Sequence, residues 1–344
     1  GLGGFRRWVK LRLLARLRTC LYNAHLPAPD IKKEDCMALR LAVFGQAPLA
    51  NECLDRLLAD GHEIATVYAP EDGSRPDALA AHARELGLRV VQRRYFQKKS
   101  GDPIAAALED YQTLNVDLNV LASFTSFLPA AITDAPKHKS LCFHPSILPR
   151  YRGGNAMQWQ IIDGEPEVGV TIFVPDTGVD TGPVVVQKGG VTIDATDTTG
   201  SLFFNKLAPL GVDAIVEAVN LIDTGEASLD VQDESRATHQ GLVKDADAAV
   251  DLNRAAEEVD RLIRGCDPQP GAWVRFNGDP VRLYDAERVD GGGTPGDILS
   301  SDDNGMVLAV GDGAIRIGRV RADSGKEPAQ AFIERSGATR FDSA

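Results

Sequence analysis

Cysteine is sparse in this 344-residue sequence, with five residues scattered at Cys20, Cys36, Cys53, Cys142 and Cys266. None forms a C-x-x-C pair, so neither a zinc site nor a disulfide framework is suggested, and a reducing compartment is the natural reading. No apolar run approaches the ~20 residues that a membrane-spanning helix needs, and no membrane partner is expected. Positive charge is in deficit: 37 Lys and Arg stand against 49 Asp and Glu, a formal net charge of −12. A protein that grips phosphate backbones needs a basic face, so nucleic acid is disfavoured as a partner. There is no G-x-S-x-G elbow, no cluster of metal-ligating residues, no internal repeat and no low-complexity tract. The first strand is followed by Gly45-Gln46-Ala47-Pro48-Leu49-Ala50, at the place of a dinucleotide fingerprint. The second and third glycines are missing, so close approach to a pyrophosphate is not provided for, and no NAD(P) binding by this chain is expected.

What is present is an ordinary globular composition, 43% hydrophobic and 25% charged, long enough for two domains. Residues 1–38 stand apart as a basic N-terminal extension. Arg6, Arg7, Lys10, Arg12, Arg16 and Arg18 interleave with Trp8, Leu13, Leu17 and Leu21, with no acid before Asp30. That pattern reads as a basic, amphipathic helix outside the catalytic fold, joined by a linker at Leu26-Pro27-Ala28-Pro29-Asp30. A mitochondrial-type targeting segment is one reading of it, a surface helix another.

From Leu39 strands and helices alternate. Strands are expected over 39–45, 63–69, 88–92 and 116–122, and helices over 49–59, 76–86 and 103–114, with Gly61 and Gly87 as stop signals. This alternation implies a Rossmann-like, doubly wound, mostly parallel sheet. Further strands are expected at 168–174, 184–187 and 190–193. Helical periodicity over 202–222 is interrupted near Pro209. The catalytic domain is placed at 39–240. Over 241–344 one short helix at 255–264 gives way to short alternating runs separated by glycine turns, which reads as a smaller β-rich, barrel-like domain. That region holds roughly 13 basic against 19 acidic side chains.

The organising stretch is Leu141 to Gly154, LCFHPSILPRYRGG, a short strand that prolines and glycines then break. A histidine leaving a buried strand into such a loop is held firmly and still reaches a cleft. Downstream, Asp176-Thr177-Gly178-Val179-Asp180-Thr181-Gly182 forms a second irregular loop with two carboxylates. One histidine and one carboxylate on two loops above a sheet suffice for a general base with an orienting acid, His144 and Asp180. Asp180 is expected to raise the histidine pKa and fix the ring's orientation by favouring the imidazolium; it also reads as an Asx-type turn residue, and the two parts are compatible. Cys142 and His144 are two apart on an extended segment and share a face, so Cys142 lines the pocket. It reads either as small buried filler, the favoured reading, or as a thiolate nucleophile. Ser126, Phe127 and Leu128 follow the fourth strand, at the carboxyl ends where open sheets bind ligands. The run Arg93-Arg94-Tyr95-Phe96-Gln97-Lys98-Lys99 reads as a solvated loop or as a site for an anion.

The two loop motifs and their spacing resemble the signature of the folate-dependent formyltransferase family, most nearly the amino-terminal hydrolase domain of 10-formyltetrahydrofolate dehydrogenase. The resemblance covers nearly everything from Leu39 onward. One departure is Cys142, where most members carry an asparagine two residues before the histidine; the dehydrogenase-type domain also lacks it. The resemblance implies the formyltransferase fold with an OB-like C-terminal domain, and 10-formyltetrahydrofolate as substrate and formyl donor. It implies His144 and Asp180 as catalytic residues, and folate contacts from Ser126, Phe127, Leu128, Ser146, Arg152, Asp176 and Gly178. The implied activity is release of the formyl group to water, giving tetrahydrofolate and formate, or transfer to an acceptor. The alternatives are a methionyl-tRNA formyltransferase, disfavoured by Cys142 and the acidic C-terminal region, and a non-catalytic folate-binding subunit. Oxidation would need a further dehydrogenase domain or a separate dehydrogenase partner; a homo-oligomer is also compatible with this reading. The expected location is cytoplasmic, or mitochondrial if the basic segment is a targeting sequence.

Overall fold

A computed structural model describes residues 38–323 and 325–344; the basic extension expected over 1–38 falls almost wholly outside the described residues. The first half of the fold comprises β1 (Arg40–Gly45), α1 (Leu49–Ala59), β2 (Glu63–Ala69), α2 (Ala78–Glu85), β3 (Val90–Gln92), α3 (Ala105–Gln112), β4 (Leu118–Ala122), α4 (Ala130–Thr133) and β5 (Ser140–His144). There follow β6 (Arg152–Gly153), α5 (Ala156–Asp163), β7 (Glu167–Phe173), β8 (Val184–Thr192), α6 (Thr199–Leu202), α7 (Ala208–Thr224) and β9 (His239–Gln240). The remainder comprises α8 (Ala256–Gly265), β10 (Ala272–Phe276), β11 (Asp279–Val289), β12 (Ile298–Asp302), β13 (Gly305–Val310), β14 (Gly313–Ala322), β15 (Gly325–Pro328) and α9 (Ala329–Ser336).

Seven strands form one sheet in the order β3-β2-β1-β4-β5-β7-β8. The first five are mutually parallel, and β7 and β8 run antiparallel to their neighbours. This is the doubly wound, mostly parallel architecture that the alternation implies. Both faces are covered, as parallel sheets require: Leu41 and Val43 of β1 face α1 and α7, while Ala42 and Phe44 face an aromatic cluster of Tyr68, Phe96, Tyr111 and Phe124. Helix α1 buries Leu49, Cys53, Leu54 and Leu57, one stripe of its surface. The strand order reverses between β1 and β4, so a crevice opens at their carboxyl ends.

Three local readings change. The strands expected at 184–187 and 190–193 are one strand, β8, whose pairing with β7 slips in register between Val168 and Val170. The break expected near Pro209 falls earlier, as a π turn over Phe203–Leu207. Pro209 has no N–H to donate one turn back, which favours a widened turn just before it. Strands β12 and β15 and helices α5 and α9 join the elements that periodicity suggests. The C-terminal strands form a separate antiparallel sheet, β10-β11-β14-β13-β12 with β15 on β14, around a second core that includes Leu283, Leu308, Ile317 and Phe332. Helix α5 carries Ile162 against Gly265 of α8 and so joins the two cores. Among the described residues no helix is long and apolar enough to cross a membrane.

One polar knot ties the sheet to its aromatic face. Asn119 of β4 is wholly buried; it accepts from the Tyr111 hydroxyl (2.8 Å) and donates to the Ile132 carbonyl (2.9 Å) and the Ser140 hydroxyl (3.0 Å). Replacing it by leucine strands the Tyr111 hydroxyl and the Ile132 carbonyl, while the Ser140 hydroxyl keeps its bond to the Thr133 carbonyl (2.8 Å). Urea denaturation of Asn119→Leu should therefore show a loss of about 3 kcal/mol; a loss below about 1 kcal/mol would mean that water satisfies them.

Candidate active site

Strand β5 sits between β4 and β7, and its side chains alternate. Leu141 and Phe143 face the α1/α7 side, where the Phe143 ring meets Gly211, while Cys142 packs against the aromatic face. His144 therefore shares the Cys142 face, at the point where β5 becomes loop. The loop that follows is braced at each turn. The Thr171 hydroxyl donates to the Ser146 carbonyl (2.7 Å) and accepts from the Leu148 N–H (3.2 Å). Gln160 Nε2 donates to the Pro145 carbonyl (3.0 Å), and Gln187 Nε2 to that of Leu148 (3.0 Å). Tyr151 adopts a left-handed backbone (φ 60°), and its hydroxyl bonds to Asp163 (3.1 Å) and Glu165 (2.7 Å). That conformation turns its carbonyl back toward His144.

His144 is 5% exposed, and its Nε2 donates to the Tyr151 carbonyl at 2.8 Å. A carbonyl can only accept, so the neutral ring carries its proton on Nε2 and leaves the Nδ1 lone pair free. Nδ1 faces an Asp180 carboxylate oxygen at 3.5 Å. The expected pair is thus brought together, with two corrections. The group that orients the imidazole is a backbone carbonyl rather than Asp180. Asp180 does act to raise the histidine pKa, as does the Tyr151 hydrogen bond, but burial outweighs both and the net shift is downward. A free lone pair beside a carboxylate is suited to take a proton from a water or amine held against both. The imidazolium then formed is countered by Asp180.

Asp180 also has a left-handed backbone (φ 55°), and its carboxylate accepts from the Gly153 N–H at 2.8 Å. Gly153 is obligatory here: φ is +97°, and a Cβ would stand 2.2 Å from the Gln240 carbonyl oxygen. The Asp loop closes on itself through Asp176, which accepts from the Gly178 N–H (2.9 Å) and the Thr181 hydroxyl (2.5 Å).

Cys142 is half-buried. Burial first and the Asp180 charge second push its thiol far above the usual cysteine range, so it is a protonated thiol at neutral pH. Ser146 is fully buried, with its hydroxyl given to the Arg150 carbonyl (2.7 Å), which makes it a brace of the loop. Arg152 is also fully buried. It donates to Gln232 through Nε (3.0 Å) and Nη2 (2.9 Å), and to Glu234 through Nη1 (2.9 Å) and Nη2 (2.6 Å). Both residues thus face inward rather than into an open cleft. Asp176 and Gly178 lie exposed on the Asp loop.

Ser126 lines a 370 Å³ cleft at the carboxyl ends of β1 to β4, together with Gln46, Asp72, Arg93, Arg94 and Phe124. Its hydroxyl donates to the Arg94 carbonyl (3.1 Å). Leu128 and Phe124 pack on the same aromatic cluster as Cys142, while Phe127 is 72% exposed. Lys98 and Lys99 lie outside the lining of this cleft, on an exposed turn between Gln97 and Pro103. Three contributors had no local signal in the sequence. The Tyr151 carbonyl and Gly153 N–H act through backbone, and Gln232 stands 80 residues from the arginine it holds.

The formyl transferase family profile matches residues 39–219, and the profile of its C-terminal domain matches residues 242–336. The chain belongs to the formyl transferase family. It is 36% identical over 299 residues to the mitochondrial 10-formyltetrahydrofolate dehydrogenase of Mus musculus, a match covering 84% of this chain and 32% of that protein. It therefore spans about a third of the length of that relative. It is 37% identical over 300 residues to the methionyl-tRNA formyltransferase of Dinoroseobacter shibae, covering 85% of this chain and 95% of that one. Among solved structures, HypX from Aquifex aeolicus in complex with tetrahydrofolic acid shares the fold, with a TM-score of 0.67 at 20% identity over 86% of this chain and 47% of that one.

The protonation chemistry of His144 is directly measurable. An imidazole lowered by burial should titrate by NMR with a midpoint below 6.5. The unfolded chain then binds more protons between that midpoint and 6.5, so His144 should make stability fall as pH drops through this window. A midpoint above 6.5 would mean that Asp180 outweighs burial.

Proposed function

We propose that this chain binds 10-formyltetrahydrofolate and releases its formyl group to water, giving tetrahydrofolate and formate, or passes it to an amine acceptor. The single observation that supports this most is His144, with Nε2 fixed by a carbonyl and Nδ1 free beside Asp180. In this reading His144 takes a proton from the attacking water or amine as oxygen or nitrogen bonds to the formyl carbon. The imidazolium rests against Asp180. When the carbon–nitrogen bond to the folate breaks, the proton passes to the leaving nitrogen. The half-buried, protonated Cys142 thiol favours its role as pocket filler over a covalent one. The folate is assigned to the crevice at the carboxyl ends of the strands, near Ser126, Phe127 and Leu128, with Asp176 and Gly178 at the edge. Arg93 and Arg94 in the cleft suit an anionic tail.

The end-to-end match to a methionyl-tRNA formyltransferase favours transfer to an aminoacyl acceptor as the second reading. Cys142, in place of the usual asparagine donor, and the acidic C-terminal region weigh against it. Assaying formylfolate with water, with amino sugars and with charged initiator tRNA discriminates between them. Formate release without an acceptor, or turnover that depends on an amino sugar, supports the first reading; turnover that depends on charged initiator tRNA supports the second; tight folate binding with no turnover refutes both.

His144→Ala and Asp180→Ala should each lower formyl release by about 10²- to 10⁴-fold while folate binding persists. Near-wild-type rates in either variant would sink the assignment. Cys142→Ala should leave hydrolysis within a few-fold of wild type, because only a weak donor is lost. An inactive Cys142→Ala, with a formyl adduct on wild-type Cys142 by mass spectrometry of acid-quenched protein, would restore the covalent route.

A further inference from the structure

The segment 230–240 runs as a strap across both active-site loops. At one end Asp230 exchanges backbone hydrogen bonds with Val184, beside the end of the Asp loop; at the other, β9 pairs with β6, which follows the His loop. Between them lies Gln232, 8% exposed and hydrogen-bonded at both ends of its amide. Its Nε2 donates to the Asp180 carbonyl (2.9 Å) and the Gly182 carbonyl (2.7 Å). Its Oε1 accepts from Arg152 Nε (3.0 Å) and Nη2 (2.9 Å). No other hydrogen-bonding side chain of this length both donates to two carbonyls and accepts from a guanidinium at its tip. Asp180 has a left-handed backbone (φ 55°), a conformation open to aspartate, and the two amide donors fix its carbonyl and that of Gly182 in place. Gly153, whose N–H holds the Asp180 carboxylate, directly follows Arg152.

We infer that Gln232 is the positioning residue that sets the Asp180 carboxylate against His144 Nδ1, by tying the Asp180 and Gly182 carbonyls to the buried guanidinium of Arg152. Gln232 touches neither reacting group; it acts through Asp180. The inference rests on the reading of His144 and Asp180 as the reacting pair, and it assigns to the strap the job of registering one catalytic loop against the other. Arg152 supplies the fixed point: fully buried, it is clamped from its outer side by Glu234.

The test separates the two ends of the amide. Gln232→Glu keeps the acceptor for Arg152 and removes both donors to the Asp loop. Gln232→Met is close in size, uncharged, and removes both ends. Full-length protein is assayed for formate release from 10-formyltetrahydrofolate, with His144→Ala and Asp180→Ala alongside and thermal midpoints recorded for all. Both Gln232 variants should fold, keep a KM near wild type, and lose about 100-fold in kcat, as expected for a displacement on the order of 1 Å at the reacting groups. Wild-type kcat in Gln232→Glu, with or without loss in Gln232→Met, would overturn the inference, because anchoring Arg152 alone would then suffice. Should Gln232→Glu fail to fold, Gln232→Met decides: a normal kcat with a lowered thermal midpoint makes Gln232 merely structural. Retained turnover in His144→Ala or Asp180→Ala overturns the reading of the pair itself. Loss in those two with full kcat in the Gln232 variants overturns only the role given to Gln232.

Discussion

The hydrogen bond from His144 Nε2 to the Tyr151 carbonyl is the constraint on which the site depends. It fixes the tautomer, and the tautomer decides which nitrogen is free. Had Nε2 been open to the cleft, Nδ1 would have carried the proton and Asp180 would have been its acceptor, as in a conventional base–orienter pair. Here the carbonyl takes that part, and Asp180 stands ready for a charge that exists only after proton uptake. Burial and the carboxylate act in opposite directions on the imidazole. Burial favours the neutral ring; in the proposed reaction the carboxylate would make the charged ring tolerable once a proton is taken up.

The remaining architecture serves that geometry. The parallel sheet brings β5 to the crevice with alternating faces, so one face packs Phe143 into the core and the other presents Cys142 and His144. The loop after β5 uses Thr171, Gln160 and Gln187 to hold a backbone that proline and left-handed residues keep out of regular structure. The strap from Asp230 to Gln240 then joins the two loops through a buried amide and a buried guanidinium. A buried arginine is costly without full hydrogen bonding. Gln232 and Glu234 take four of its five N–H donors, and in doing so tie together loops about thirty residues apart in sequence.

Membership of the formyl transferase family sets the class of chemistry and leaves the acceptor open. The chain matches about a third of one dehydrogenase and nearly all of one tRNA formyltransferase at similar identity. Cys142 is the site residue that bears most directly on that choice. A protonated thiol is a weak hydrogen-bond donor compared with an asparagine amide.

Much of the fold was legible because it rests on periodicity. Strands 40–45, 63–69 and 118–122 follow from short apolar runs, which a sheet covered on both faces buries almost continuously, and the stripe of α1 follows from helical spacing. His144 and Asp180 were legible as a pair because each sits in a loop whose prolines and glycines mark it. The shared face of Cys142 and His144 follows from the two-residue repeat of a strand alone. What the sequence could not determine is the direction in which each polar group is spent. Ser146 and Arg152 sit in the motif, yet they turn inward to the Arg150 carbonyl and to Gln232 and Glu234. The sign of the His144 shift depends on how deeply the ring is buried against how near one carboxylate lies, and both are distances through space. Gln232 is the clearest case: its importance lies in contacts to residues 50 to 80 positions away. Hydrogen bonds of that reach exist only once the sheet has closed and brought the strap across both loops, so only the tertiary structure could decide them.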